Sequence, residues 1–248
     1  MKNQNKKCNK GVKALVVILL VVGILFGGFG VYVNDYYRAQ TEAIAVFSSG
    51  SLVEEKEIDD GVIAFLPPDP VAGFIFYPGG KVEYTAYKPL MIACAQKGIL
   101  CVLVEMPFNL AVLDVNRADG ITDYFPQIKK WAIGGHSLGG SMAASYIEAH
   151  TDGFDALVLL GSYSTADLSS RNIDALSIYG SKDGIMNREK YAEYKPNLPQ
   201  NMVEFVIDGG NHSGFGMYGL QDGDGKAAIT NEEQVNITAE KIAEVIYQ

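Results

Sequence analysis

The stretch Gly135–Gly140 (GHSLGG) decides the fold that we predict for this chain. It contains the pattern G-x-S-x-G, with Gly135 and Gly139 flanking Ser137, and it precedes the alanine-rich segment Leu138–His150. Glycines at these positions let a strand turn sharply into a helix, and the tight turn lifts the serine hydroxyl above the sheet. The stretch therefore predicts an exposed serine at a strand-to-helix turn.

Apolar strand-like runs alternate with helix-like segments on both sides of this turn. We predict strands at Ala43–Phe47, Val53–Ile58, Gly61–Leu66, Ala72–Tyr77, Ile99–Glu105, Trp131–Gly135, Ala156–Leu160, Ala175–Tyr179 and Met202–Ile207, and helices at Tyr84–Lys97, Ala118–Lys129, Leu138–His150, Arg188–Lys195 and Asn231–Tyr247. This alternation predicts an α/β fold, in which a mostly parallel central sheet carries helices on both faces. Reactive loops are then expected at the carboxyl ends of the strands.

The N-terminal part indicates a membrane anchor. Residues 14–33 are uncharged and almost wholly apolar, and about 20 such residues are needed to cross a bilayer as a helix. The preceding lysines place the N-terminus in the cytoplasm and the rest of the chain outside, at the cell membrane. A cleaved signal peptide is the alternative, but its apolar region is normally about 7–15 residues long and ends at small residues, whereas this run ends in Tyr32, Val33 and Asn34.

We therefore predict four regions: a basic cytoplasmic head (1–13), a transmembrane anchor (14–33), a juxtamembrane segment with the first strands (34–60) and a catalytic core (61–248). The chain has a formal net charge of −9 although its head carries only positive charges, from Lys2, Lys6, Lys7, Lys10 and Lys13. So acidic a core repels phosphate backbones, which argues against nucleic-acid binding.

A serine hydroxyl needs a base, and the chain offers three histidines for this role. His136 lies inside the glycine-flanked turn beside Ser137, and His150 ends the following helix. His212 comes directly after the last predicted strand, where the chain order serine, acid, histidine places the base. We predict that His212 is the base.

The base in turn needs a buried carboxylate that fixes its tautomer. Asp183 follows the penultimate predicted strand, within Tyr179–Gly184 (YGSKDG), and is the acid that we favour. The other candidates are Asp155, Asp167 and Asp208.

Two backbone amides are candidates for stabilising an oxyanion. The N–H of Leu138 lies at the start of a predicted helix and follows the serine directly. The second donor is expected in the loop after Ala72–Tyr77, and we favour Gly80 over Lys81 because glycine lets the backbone approach closely.

The motifs resemble those of the α/β-hydrolase superfamily, particularly its compact dienelactone-hydrolase-like members. The resemblance covers about residues 60–248 and depends on Tyr77–Gly80 (YPGG), Gly135–Gly140, Tyr179–Gly184 and Gly209–Gly216 (GGNHSGFG). It implies ester or related acyl hydrolysis through an acyl-enzyme, with Ser137, Asp183 and His212 as the triad and Gly80 and Leu138 as the oxyanion donors. Many members begin the oxyanion loop with His-Gly, where this chain has Pro78-Gly79. Dienelactone hydrolases use a cysteine nucleophile, so the resemblance does not imply that this chain acts on their substrate.

The predicted function is thus a membrane-anchored serine hydrolase that acts on a small-molecule acyl substrate without metal or cofactor. An acyltransferase or peptidase that acts on envelope components through the same triad is one alternative, and a non-catalytic surface binding module is another.

The connection Ser162–Asp174 is too short for a helical cap, so we expect an open site. The acidic stretch Gln221–Gly225 fails the calcium-loop pattern and is predicted to be a solvated turn. Cys94 and Cys101 are predicted to be buried thiols, with a disulfide as the alternative.

Overall fold

The computed structural model describes residues 10–248, so Cys8 and the first three lysines lie outside the described residues. The chain divides into two compact units, Met1–Tyr36 and Tyr37–Gln248. In the first unit, α1 (Lys10–Asn34) is one continuous helix. Its segment Gly11–Asn34 is long and apolar enough to cross a membrane, a test that a signal sequence also passes.

The second unit is built on one eight-stranded sheet. Its strands are β1 (Glu54–Asp59), β2 (Val62–Leu66), β3 (Ala72–Tyr77), β4 (Ile99–Val104), β5 (Lys130–His136), β6 (Ala156–Leu160), β7 (Asp174–Gly180) and β8 (Val203–Ile207). They lie in the order β1-β2-β4-β3-β5-β6-β7-β8. The pairs β1–β2 and β2–β4 are antiparallel and the remaining pairs are parallel, which confirms the mostly parallel sheet.

Helices cover both faces of this sheet. They are α2 (Thr41–Ser48), α3 (Lys88–Ala95), α4 (Leu138–Ala149), α5 (Arg188–Tyr194) and α6 (Asn231–Ile246). Successive side chains of a strand point to opposite faces, and in β3 Phe76 joins a cluster with residues of α3 and α6, whereas Tyr77 joins a cluster with residues of α4. Cys94 and Cys101 are buried free thiols in the first cluster, which confirms that prediction.

Two segments differ from their predictions. The predicted strand Ala43–Phe47 is wrong, because these residues lie in α2, where Ile44 is the buried side chain. Alanine and glutamate favour a helix, and burial at one position gives no alternating face for a strand to pack.

The predicted helix Ala118–Lys129 is also wrong, since the helical part is a short 3-10 turn over Ile121–Tyr124. The buried hydroxyl of Tyr77 accepts a hydrogen bond from the N–H of Ala118 (2.9 Å), and Gly120 adopts a φ of 74°. These two features draw the backbone away from a regular helix.

Six adjacent strands are parallel, and the carboxyl ends of five of them, β3, β5, β6, β7 and β8, lie along one edge of the sheet. Their final residues are Tyr77, His136, Leu160, Gly180 and Ile207. Every predicted site residue follows one of these ends within a few positions. The topology therefore gathers residues that are more than 130 positions apart in the chain.

Candidate active site

Ser137 occupies a strained backbone position between β5 and α4. Its φ is 51° and its ψ is −119°, a conformation that costs a residue with a side chain about 1–3 kcal/mol. The turn is held by the hydrogen bond from the N–H of Ser137 to the carbonyl of Leu160 (2.9 Å). A Cβ atom on Gly135 or Gly139 would lie 2.5 Å or 2.2 Å from the carbonyl oxygen of Tyr77, so neither position has room for one. The predicted glycine–serine turn is therefore present.

Asp183 and His212 form a buried hydrogen-bonded pair. Oδ2 of Asp183 accepts from Nδ1 of His212 at 2.9 Å, and the two side chains are 0% and 1% exposed. Oδ1 of Asp183 accepts the backbone N–H groups of Ile185 (2.9 Å) and Met186 (2.8 Å). Burial alone would raise the pKa of Asp183, but the hydrogen bond and charge of His212 and these two amides outweigh it and lower the pKa. The carboxylate stays ionised at neutral pH.

One cavity of about 270 Å³ brings Ser137 and His212 together. The other residues that line it are Leu138, Ser141, Gly161, Ser162, Tyr163, Ile185, Met186 and Asn187. Nε2 of His212 is buried and has no hydrogen-bond partner within residues 10–248, so the Ser137–His212 hydrogen bond is not formed in this state. Hydrogen bonds of this kind are often formed only when substrate is bound.

The other candidate carboxylates are engaged elsewhere. Asp155 accepts the N–H of Trp131 (2.9 Å), and Asp208 accepts the hydroxyl of Ser181 (3.2 Å). Asp167 is exposed and accepts the N–H and hydroxyl of Ser169. Among the described residues, Asp183 is thus the carboxylate that is hydrogen-bonded to the imidazole ring of His212.

The other two histidines have structural surroundings. His150 follows α4 as its C-cap, and its Nδ1 lies 2.8 Å from the carbonyl oxygen of Tyr146. His136 is fully buried, and its ring centroid lies 4.3 Å from that of His212. Burial, followed by the charge of His212, lowers the pKa of His136 well below its usual range. His136 is therefore neutral at neutral pH.

The loop after β3 leaves one backbone amide without an acceptor. The N–H of Lys81 donates to the carbonyl of Asn109 (2.8 Å), and the N–H of Gly79 donates to the hydroxyl of Tyr87 (3.1 Å). The N–H of Gly80 has no acceptor within the described part of the chain. A Cβ on Gly80 would lie 3.0 Å from Cδ2 of Leu138, so the two predicted donors belong to adjoining loops.

Tyr87 is a part of the site that the sequence interpretation missed. Its buried hydroxyl accepts the N–H of Gly79 and lies 2.8 Å from Nδ1 of His136. Tyr87 thus connects the loop after β3 with the turn that carries Ser137. It lies in the segment Tyr84–Lys97, which was predicted only as a helix, so no sequence signal distinguished it from its neighbours.

Gly161 was also missed. It follows β6 with a φ of 52°, and a Cβ at this position would lie 2.9 Å from Nδ1 of His212 and 3.1 Å from Oδ2 of Asp183. The absent side chain thus leaves the space that the hydrogen-bonded pair occupies. The only signal in the sequence was a glycine directly after a predicted buried strand.

Comparison with known proteins agrees with this architecture. A dienelactone hydrolase from Anabaena variabilis is 14% identical with a TM-score of 0.58, and the match covers 79% of this chain and 97% of that chain. Est1E from Butyrivibrio proteoclasticus is 13% identical with a TM-score of 0.56, and the match covers 79% and 99% of the two chains. A predicted CIB-like hydrolase from Thermoplasma acidophilum is 16% identical with a TM-score of 0.55, over 79% and 100%. At such low identity, these similarities establish the fold.

No curated protein sequence matches this chain significantly. The sequence profile of the alpha/beta hydrolase family matches residues 73–236, which is more than half of the chain. That region contains the loop after β3, the turn at Ser137, Gly161 and both members of the Asp183–His212 pair. The resemblance seen in the motifs is thereby confirmed, and the chain belongs to the alpha/beta hydrolase family.

Proposed function

We propose that this hydrolase cleaves carboxylic esters by a serine mechanism, with Ser137 as nucleophile, His212 as base and Asp183 as acid. The observation that carries the proposal is the buried 2.9 Å hydrogen bond between Asp183 and Nδ1 of His212, beside the strained Ser137 in the same cavity. This bond leaves Nε2 as the nitrogen that can take a proton.

In the first half-reaction, Oγ of Ser137 attacks the carbonyl carbon of the ester and its proton passes to Nε2 of His212. The carbonyl oxygen becomes an oxyanion, which accepts hydrogen bonds from the N–H groups of Gly80 and Leu138. The tetrahedral intermediate then breaks its bond to the alcohol oxygen, which receives the proton from His212. Asp183 stabilises the transient imidazolium throughout.

In the second half-reaction, water attacks the acyl group on Ser137. His212 accepts a proton from the water and returns it to Oγ of the serine as the acid is released. The ring of His136 beside it, tilted by 49° to the ring of His212, is neutral, so it does not oppose the positive charge on His212. The connection between β6 and β7, residues 161–173, contains no helix, which leaves the site open for water.

The cavity suits a small, uncharged acyl group. Its lining within the described residues contains no aspartate, glutamate, lysine or arginine, and Leu138, Ile185 and Met186 give it an apolar part. A volume of about 270 Å³ lies just below the range of roughly 300–1,000 Å³ that is typical of sites for drug-sized ligands. Each methylene that enters an apolar pocket contributes about 0.8 kcal/mol, and a methylene beyond the pocket contributes little.

An ester-chain panel tests the proposal. With p-nitrophenyl esters, kcat/KM should rise with acyl length up to about four carbons, as the apolar part of the cavity fills, and then stop rising. A fluorophosphonate probe should label the purified protein at Ser137, which mass spectrometry of the labelled peptide would locate. Folded protein that neither hydrolyses any ester nor takes up the probe would contradict the serine mechanism and favour the binding-module alternative.

We further propose that α1 remains attached and anchors the enzyme in a membrane, with its lysine-rich start in the cytoplasm. Apolar side chains such as Ile24 and Phe26, each 73% exposed, cover this helix in the first unit. So much exposed apolar surface is unfavourable in water and is covered by lipid in a bilayer.

Alkaline carbonate extraction tests the anchor. The full chain should stay with the membrane pellet, and N-terminal analysis should find residues 1–33 still present. Replacing both Leu19 and Leu20 by arginine should release much of the protein, because each charge at the centre of a membrane helix costs about 2.5–3.5 kcal/mol. A soluble chain that begins beyond residue 33 would instead identify the segment as a cleaved signal peptide.

A further inference from the structure

The carboxylate of Asp224 lies where the loops that carry Asp183 and His212 meet. Its Oδ1 accepts the backbone N–H groups of Gly184 (3.0 Å), His212 (3.3 Å) and Gly225 (2.8 Å). Its Oδ2 accepts the N–H (2.8 Å) and the hydroxyl (2.7 Å) of Ser213. Asp224 is half-buried, and both of its oxygens face donors. Because both oxygens of this carboxylate accept hydrogen bonds from N–H and O–H groups, they are engaged within the protein and are not arranged to bind a calcium ion.

These contacts join the two loops of the catalytic pair. Gly184 is the residue after Asp183, so Asp224 holds the backbone beside the acid. His212 and Ser213 donate from the other loop, so the same carboxylate holds the backbone of the base. In addition to the direct Asp183–His212 hydrogen bond, the carboxylate of Asp224 thus contacts the backbone next to both catalytic residues.

The turn that presents Asp224 is itself closely packed against these loops. A Cβ on Gly225 would lie 1.9 Å from the carbonyl oxygen of Lys182, and a Cβ on Gly184 would lie 2.7 Å from the carbonyl oxygen of Gly223. The side-chain amide of Asn211 also donates to the carbonyl of Gly225 (2.7 Å). The position of Asp224 is therefore fixed by contacts on both sides, whereas the sequence predicted only a solvated turn.

We propose that Asp224 is a positioning residue, which sets the geometry of Asp183 and His212 by holding their backbones from one carboxylate. The proposal rests on the function proposed above, since it concerns the aim of His212 toward Ser137. Without the carboxylate, the N–H groups of Gly184, His212 and Ser213 lose their acceptor, so the backbone directly beside Asp183 and His212 is held less firmly, although the hydrogen bond from the N–H of Lys182 to the carbonyl of Gly210 (2.8 Å) still joins the two loops. A displacement of about 1 Å in such a site lowers turnover by about 100-fold.

The test compares Asp224→Asn with Asp222→Asn in the full chain. Asp222 lies in the same turn and is exposed, and its carboxylate has no hydrogen-bond partner within the described residues. The two variants lose the same charge, but an asparagine in place of Asp224 would turn an NH₂ group toward N–H donors. We expect kcat of Asp224→Asn to fall by about 10- to 100-fold with KM changed less than about 2-fold, and Asp222→Asn to keep the kcat of the natural protein.

A second readout does not depend on hydrolysis. The imidazole N–H that donates to a carboxylate gives a far-downfield ¹H NMR resonance, which should shift or broaden in Asp224→Asn and stay in place in Asp222→Asn. If both the resonance and kcat of Asp224→Asn were unchanged, the proposal would be overturned, whether or not the melting temperature of this variant is lower. If the natural protein hydrolyses no ester, the proposed function fails, while the resonance still tests the role of Asp224.

Discussion

Ser137→Ala should lower kcat for ester hydrolysis by about 10⁴- to 10⁶-fold, while the fold and the Asp183–His212 pair stay intact. Removing Oγ removes the atom that forms the acyl-enzyme, so what activity is left comes from the oxyanion donors and binding alone. Alanine keeps the Cβ atom, so the strain at φ 51° is the same in both proteins. The melting temperature should therefore change little, and the fluorophosphonate label should be absent.

The matched control for this variant is Ser145→Ala. Ser145 lies on α4, two turns after the nucleophile, and its hydroxyl donates to the carbonyl of Ser141 within the helix. It does not line the cavity, so its loss should leave kcat and KM unchanged. If Ser137→Ala kept activity comparable to that of Ser145→Ala, the hydrolysis would not proceed through an acyl group on Ser137.

The sequence predicted the central sheet well because its buried strands are short apolar runs that end at glycine or proline. Ala72–Tyr77 and Ala156–Leu160 have the predicted bounds. The turn at Ser137 could also be predicted, because its glycines and serine form a short pattern in the sequence, even though the atom that crowds Gly135 and Gly139 is the carbonyl oxygen of Tyr77 on the neighbouring strand.

The features that were missed depend on contacts between distant parts of the chain. Gly161 matters because His212 and Asp183 pack against it, and Tyr87 matters because its hydroxyl lies between Gly79 and His136. None of these contacts follows from the residue types alone. The strand predicted at Ala43–Phe47 failed for the same reason, because an apolar run of this length suits a helix or a strand and only its packing decides between them.

The oxyanion loop shows how tertiary contacts refine a motif. From the sequence, Gly80 was favoured over Lys81 because glycine lets the backbone approach closely. In the structure the N–H groups of Gly79 and Lys81 are both engaged, and that of Gly80 is the amide without an acceptor among residues 10–248. The proposal that Gly80 is an oxyanion donor therefore depends on its free N–H among residues 10–248 as well as on its position in the loop.

Asp183→Asn should lower kcat by about 10⁴-fold, because it reverses the tautomer of His212. Oδ1 of Asp183 accepts two backbone N–H groups, so the oxygen of an asparagine would take that position and its NH₂ would face His212. Nδ1 would then have to accept, which puts the proton on Nε2 and leaves no base for Ser137. The rate of fluorophosphonate labelling should fall together with kcat.

The control for this prediction is Asp167→Asn, which changes the charge equally at an exposed carboxylate bonded to Ser169. It should keep the turnover of the natural protein, because Asp167 does not line the cavity that contains Ser137 and His212. Comparing the two variants distinguishes Asp183 from Asp167, which the sequence left as another candidate for the acid. A large loss in Asp167→Asn together with less than about a 10-fold loss in Asp183→Asn would mean that a carboxylate other than Asp183 supports the base, since a tautomer reversal costs far more than that.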